Sequence, residues 1–182
     1  DLTRSRGLGD VYKRQKVNSR GNKNLNYLSS FFSETELSIL SEKTISIVGT
    51  NGKSSTANNI AMLLKGLDKS YIAFTSPHLF DYKERMTAHK DLNFNEYIQY
   101  LENFELKNNI NLGYFESTFL IAAKAFLHND MDYFICEAGI GGKYDTTSVI
   151  QSKTVVLTSI GLDHTDISVS YTHLTLPTTV RV

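Results

Sequence analysis

Thr44-Ile45-Ser46-Ile47-Val48 runs directly into Gly49-Thr50-Asn51-Gly52-Lys53-Ser54-Ser55. The first five residues are β-branched or small, and they read as a short strand. Residues 54–67 carry Ile60, Leu63, Leu64 and Leu67 at helical spacing, with Gly66 near the end. A strand, a glycine-bearing turn and an amphipathic helix in that order make a phosphate site. Several backbone N–H groups must converge on one anion, and side chains between them would collide with it, so glycines permit the approach. The helix start adds its dipole and its free N–H donors. Lys53 then reaches the outer phosphates as a point charge. Gly49, Thr50, Asn51, Gly52, Lys53, Ser54 and Ser55 are therefore the nucleotide-binding candidates, with ATP as the ligand. Ile47, not Gly, stands five residues before Gly52, so this loop is shorter than the common Walker form. The plainer alternative is a polar strand-to-helix turn with a solvated lysine.

The same alternation continues outward. Residues 25–40 have helical spacing interrupted near Ser33. Residues 71–75 form a second apolar run, which Ser76-Pro77 stops. Residues 80–91 are charged and read as a loop or an edge hairpin. Residues 94–106 and 115–127 read as helices, the second strongly apolar. Residues 132–136 and 154–159 read as strands. Short strands that are apolar on both faces and alternate with helices indicate a parallel sheet covered on both sides. The fold class expected is α/β: a three-layer, mostly parallel sheet around a phosphate loop. Ligands of such sheets lie beyond the carboxyl ends of the strands.

Composition narrows the function classes. The chain has 182 residues, 41% hydrophobic and 21% charged, with 11 Gly, 2 Pro and one Cys. Collagen-like, low-complexity and disulfide-scaffold readings are excluded. Nineteen basic and nineteen acidic residues balance, so no overall field attracts nucleic acid or an anionic membrane. No apolar run approaches the roughly 18 residues of a membrane span. The lone Cys136 suits a reducing cytoplasm and reads as inert core. The reading is a cytoplasmic monomer that binds small molecules.

The two ends carry a different signal. Asp10-Val11-Tyr12-Lys13-Arg14-Gln15 can be encoded as GATGTGTATAAGAGACAG. Its reverse complement, read from the third base, encodes Val169-Ser170-Tyr171-Thr172-His173. Two inverted copies flanking the rest of the chain resemble the mosaic ends of a sequencing-library transposon. Residues 1–15 and 168–182 are on this reading adaptor-derived and are set aside. Residues 16–167 would be part of an ATP-binding domain, cut short at both ends of its gene and inactive as a ligase by itself.

Four further polar stretches follow the loop. They are Thr75-Ser76-Pro77-His78-Leu79, Tyr114-Phe115-Glu116, Glu137-Ala138-Gly139-Ile140-Gly141-Gly142-Lys143-Tyr144-Asp145, and Thr158-Ser159-Ile160-Gly161-Leu162-Asp163-His164-Thr165-Asp166. A carboxylate ending a buried strand beside a phosphate loop is a natural Mg²⁺ ligand. With Gly49-Thr50-Asn51-Gly52-Lys53 these motifs resemble, in order, the folylpolyglutamate synthase/dihydrofolate synthase family of the Mur ligase superfamily. Ser54 stands where that family usually has Gly. The resemblance implies an ATP-dependent amide ligase that joins L-glutamate to dihydropteroate or a folate through an acyl phosphate. It implies Ser76, Glu137 and His164 as Mg²⁺ ligands, and Lys53, Glu137 and His164 as the catalytic group. It also implies Tyr114, Phe115, Glu116, Tyr144, Asp145 and Thr146 as the wall of the pterin site. Another Mur-type amino-acid ligase, a P-loop nucleotide kinase and a non-functional gene fragment are the alternatives. The ligase reading requires Lys53 and Glu137 to share one site.

Overall fold

The computed structural model describes residues 26–78, 80, 82–139, 142 and 145–160. The two adaptor-like ends, together with the site candidates Tyr144 and His164, lie outside the described residues. The interruption expected near Ser33 is a real helix boundary. Helix α1 (Asn26–Ser29) ends before it, and α2 (Glu34–Lys43) begins after it. Ser33 Oγ accepts from the Glu36 amide at 3.2 Å, and Glu36 Oε2 accepts from the Ser33 amide at 2.9 Å. This reciprocal capping box satisfies two donors that a helix start leaves open.

Strand β1 (Thr44–Val48) leads through the glycine loop into α3 (Lys53–Gly66). Strand β2 (Tyr71–Phe74) ends before a cis Ser76–Pro77 bond. The charged stretch resolves into a 3₁₀ turn, Tyr82–Arg85, and β3 (Met86–Ala88), the edge hairpin foreseen as one option. A second 3₁₀ turn, Phe94–Tyr97, precedes α4 (Ile98–Asn108). Helix α5 (Tyr114–His128) follows, then β4 (Tyr133–Glu137), a third 3₁₀ turn (Thr146–Val149) and β5 (Thr154–Leu157). The five strands form one sheet in the order β3-β2-β4-β1-β5. β2, β4, β1 and β5 are parallel, and only the edge strand β3 runs against β2. The expected three-layer, mostly parallel α/β architecture is what forms.

Register decides what each face holds. Ala73 lies beside Ile135, and Ile135 beside Ile45. Because side chains alternate along a strand, Ala73, Ile135 and Ile47 share one face. They pack with Ala57, Ala61 and Leu64 of α3. Ile72, Phe74, Phe134 and Cys136 point to the other face, where they meet Phe119, Leu120, Ala123 and Phe126 of α5. Helix α5 is apolar nearly all round and is buried from Glu116 through Phe126. Its buried cation is Lys124, whose Nζ lies 2.5 Å from Glu36 Oε1 and over the rings of Phe31, Phe32 and Tyr100. That ion pair ties α2 to α5. Burial alone would raise the Glu36 carboxyl, but Lys124 and the Ser33 hydrogen bonds outweigh it and hold it below the usual range. Among the described residues no helix is long and apolar enough to cross a membrane.

Candidate nucleotide and metal site

The loop after β1 adopts a backbone that side chains avoid. Gly49 has φ +138° and Gly52 φ +82°. The two glycines serve different ends. A Cβ on Gly49 would stand 2.2 Å from Thr158 Oγ1 and 2.8 Å from the Ser159 carbonyl, so the loop is pressed against the end of β5. Nothing lies within 4 Å of where a Cβ on Gly52 would point, so there the glycine serves the turn alone. Ser159 stitches the loop down. Its carbonyl accepts from the Thr50 amide at 2.8 Å, and its Oγ accepts from the Asn51 amide at 2.9 Å. The loop amides left to face a phosphate are therefore those at the start of α3, around Lys53, Ser54 and Ser55, where helix geometry leaves N–H groups open. Lys53 Nζ donates to the Gly49 and Thr50 carbonyls, at 2.9 and 3.1 Å, and so lies across the loop.

Glu137 comes to this loop for a reason of strand geometry. It follows Ile135 by two residues, so it leaves the sheet on the α3 face. It is 1% exposed. Ser54, in the first turn of α3, donates from Oγ to Glu137 Oε1 at 2.9 Å. The Ser76 amide, from the turn after β2, donates to Oε2 at 3.0 Å. Ser54 Oγ also lies 3.3 Å from the Ser76 carbonyl. Burial pushes the Glu137 carboxyl up from its ordinary value. The Ser76 amide, the Ser54 hydroxyl, Lys53 and Arg85 pull the other way without overcoming it. Three strand ends thus place Lys53, Ser54, Ser76 and Glu137 in one site, as the reading of Lys53 and Glu137 required.

The donor set fits a hard divalent ion. Glu137 Oε1 accepts from Ser54 Oγ and Oε2 from the Ser76 amide, while Ser54 Oγ acts as the donor, to Oε1 and to the Ser76 carbonyl, so all three are oxygens with lone pairs to spare. An oxygen has a second lone pair to offer.

The substrate candidates gather on the neighbouring ground. Gly139, two residues past Glu137, donates its amide to Asp145 Oδ2 at 3.0 Å. A Cβ there would lie 3.0 Å from Phe115 Cζ, so Phe115 and Asp145 meet across the end of β4. Asp145 Oδ1 accepts from the amide and hydroxyl of Thr147, at 2.9 and 2.7 Å, which caps the 3₁₀ turn. Thr146 is buried beside it. Glu116 is buried and folds back over Gly113, whose missing Cβ leaves room for its carboxylate. The Phe115 ring packs edge-on against Phe74. Cys136 is fully buried among apolar neighbours, and burial pushes its thiol well up, as do the Asp145 and Glu137 charges.

The roles of two participants could not be read from the sequence. Arg85 lay in a charged stretch where one more charge means little. In the fold it is 8% exposed. Its Nε donates to His78 Nδ1 at 2.8 Å, and its Cζ lies 5.1 Å from the centre of the Tyr114 ring. His78 Nδ1 thus serves as the acceptor, and the ring packs edge-on against Tyr114. Ser159 was visible inside a motif, but only the fold shows it holding the phosphate loop.

No protein-family model matches the chain. Among curated proteins it is 36% identical over 146 residues to a dihydrofolate synthase/folylpolyglutamate synthase of Buchnera aphidicola. That match covers 73% of this chain and 35% of the relative. Among solved structures it is similar to a bifunctional folylpolyglutamate synthase/dihydrofolate synthase with Mn, AMPPNP and L-glutamate bound. The TM-score is 0.74 at 29% identity, over 88% of this chain and 40% of that one. It is similar also to E. coli FolC in complex with DHPP and ADP, with TM-score 0.74, 26% identity and the same coverage. The chain thus spans a little over a third of the length of the proteins it matches. By sequence and by fold the chain is similar, over that third, to the dihydrofolate synthase/folylpolyglutamate synthase family.

Proposed function

We propose that this chain is the nucleotide- and metal-binding part of an ATP-dependent amide ligase that joins L-glutamate to dihydropteroate or a folate. The observation that carries the reading is the 2.9 Å hydrogen bond from Ser54, beside Lys53, to the buried carboxylate of Glu137. It puts a phosphate-binding cation and a metal-binding anion on one another's doorstep. Solved neighbours of the same fold hold AMPPNP, Mn and L-glutamate, or DHPP and ADP.

In this reading the amides at the start of α3 hold the β- and γ-phosphates, and Lys53 turns from the loop carbonyls to the γ-phosphate. Glu137, Ser54 and Ser76 would hold a Mg²⁺ ion, which when bound neutralises charge on the transferred phosphoryl group. The acceptor carboxylate attacks the γ-phosphorus and ADP leaves. The glutamate amine then attacks the acyl carbon, and phosphate leaves with the C–O bond pair. Chain residues contribute position and electrostatics. On the family resemblance, Tyr114, Phe115, Glu116, Tyr144, Asp145 and Thr146 would wall the acceptor pocket, and His164 would complete the metal set. Residues 16–167 form this domain, and the flanking segments are adaptor-derived. The protein works as a cytoplasmic monomer, in keeping with its buried free thiol.

The test is thermal unfolding of the chain with AMPPNP and Mg²⁺, then with dihydropteroate added. Mg·AMPPNP raises Tm, the acceptor raises it further, and Lys53→Ala or Glu137→Ala removes the first increment. No shift with Mg·AMPPNP refutes the site. A nucleotide shift without any acceptor increment favours the P-loop kinase reading.

A further inference from the structure

Among the described residues Arg85 carries a buried charge with no carboxylate in ion-pair contact, the Glu137 carboxylate acting on it only through space. It closes the 3₁₀ turn Tyr82–Arg85, and its carbonyl accepts from the Thr75 amide at 2.9 Å, which fixes its backbone at the mouth of β2. Its side chain runs inward, and only 8% of the residue is exposed. Its contacts are the accepting Nδ1 of His78 and the face of Tyr114. Among the described residues it makes no ion pair, whereas the lysines at 43, 69, 124 and 153 all do. A guanidinium withdrawn from water normally has a carboxylate or phosphate on its planar fork. The Nε bond to His78 takes one corner of that fork and aims the rest.

Its position shows what the fork faces. His78 belongs to the turn that also supplies the Ser76 amide to Glu137. Tyr114 opens α5, beside Phe115, which meets Asp145 across Gly139. Arg85 also lies near enough to Glu137 for its charge to act on that carboxylate. It therefore stands at the seam between the phosphate and metal site and the pocket at the start of α5. An acceptor whose carboxylate attacks a γ-phosphate must place that carboxylate on this seam. Resting on the ligase reading above, we propose that Arg85 receives the reacting carboxylate of the pteridine acceptor, and that His78 orients it to do so.

The experiment compares two probes, dihydropteroate and its carboxamide, binding to the chain in the presence of Mg·AMPPNP, measured by calorimetry. The two probes differ only in the charge and acceptor pattern at the reacting group. Wild type is expected to prefer the acid by about tenfold or more, the ordinary worth of a charge-assisted fork. Arg85→Met is expected to bind acid and amide alike, and Arg85→Lys to keep part of the preference. His78→Ala is expected to reduce the preference without abolishing it. If wild type binds both probes equally, Arg85 does not read the carboxylate. If Arg85→Met weakens acid and amide by the same factor, Arg85 is a structural prop and the proposal is overturned. Should Arg85→Met fail to unfold cooperatively, Arg85→Lys decides: an undiminished preference overturns the fork geometry. If wild type binds neither probe, the acceptor pocket and the role of Arg85 fall together, whereas loss of discrimination tests Arg85 alone.

Discussion

Replacing Gly49 and Gly52 separately by alanine tests whether the phosphate loop is held by packing or merely by turn geometry. Both glycines have positive φ, so both substitutions carry backbone strain of about 1–2 kcal/mol. They differ in what the new methyl meets. At Gly52 it meets nothing within 4 Å. At Gly49 it would stand 2.2 Å from Thr158 Oγ1 and 2.8 Å from a backbone oxygen, well inside van der Waals contact. Overpacking of that kind adds about 1–3 kcal/mol. Gly49→Ala should therefore cost about 2–5 kcal/mol and Gly52→Ala about 1–2 kcal/mol. At about 2–4 °C per kcal/mol for a chain of this size, calorimetry should read a Tm loss of roughly 4–20 °C at Gly49. Gly52 should lose roughly 2–8 °C. The cycle with Thr158→Ala sharpens the case. Deleting that hydroxyl removes the nearer obstacle but leaves the Ser159 carbonyl, so the double variant should recover part of the loss. The coupling expected is about 1 kcal/mol. Equal losses at the two glycines, or strict additivity with Thr158→Ala, would refute the claim that β5 clamps the loop.

Three further outcomes follow from the packing and the charges. Glu137→Gln should stabilise the ligand-free chain at pH 7 by roughly 0.5–2 kcal/mol while abolishing Mg²⁺-dependent stabilisation. Burial raises the Glu137 carboxyl, so its penalty sets in as pH rises from the usual carboxylate range through the raised value. The advantage of the glutamine should accordingly fade below that window in pH-dependent melts. Lys124→Met should cost about 1–3 kcal/mol at pH 7, because Glu36 loses its cation where water is scarce. The Glu36 carboxyl is held low in the fold, so its contribution is present above the ordinary carboxylate range and is lost as pH falls through the lowered value. Urea melts at pH 7 and at pH 3 should show the difference shrinking. Leu120→Ala, at a fully buried site in the middle of α5, should cost about 2–5 kcal/mol in the same assay.

Much of the fold was legible because periodicity and punctuation agree. The β-branched run at Thr44–Val48, the glycines behind it and the apolar spacing of α3 all point to one strand-loop-helix unit. The break at Ser33 was visible as a loss of helical spacing, and the structure explains it as a capping box with Glu36. The 3₁₀ turn Phe94–Tyr97 was not visible, since its residues share the spacing of the helix that follows. Site residues at strand ends could be read locally: Glu137 ends an apolar run, and Ser76 precedes a proline. Contacts between distant segments could not. Nothing in the neighbourhood of Arg85 says that His78 and Tyr114 will fold around it. Nothing around Ser159 says that its hydroxyl will hold Asn51, 108 residues earlier in the chain.

The division of labour between the two faces of the sheet explains how this chain can carry a desolvated carboxylate. The faces of β2 and β4 that meet α5 present Ile72, Phe74, Phe134 and Cys136, and the aromatic packing of Phe74 and Phe126 closes that layer. Each such side chain contributes about 1.5–3 kcal/mol of burial, so this layer holds most of the hydrophobic gain. The α3 face has a smaller cluster, and its strands end in Glu137 instead of another aliphatic residue. Since alternation sends successive residues to opposite faces, a charge at position 137 leaves the α5 face untouched. A strained loop and a buried anion are thus confined to the thinner layer, where a cation and a nucleotide would relieve both. Ligand binding should then stabilise β1, α3 and the end of β4 more than α4 and α5. Hydrogen exchange with and without Mg·AMPPNP would reveal this as protection concentrated at residues 49–57 and 137–139. Uniform protection across α5 would instead mean that the two layers unfold as one unit and that the separation argued here is illusory.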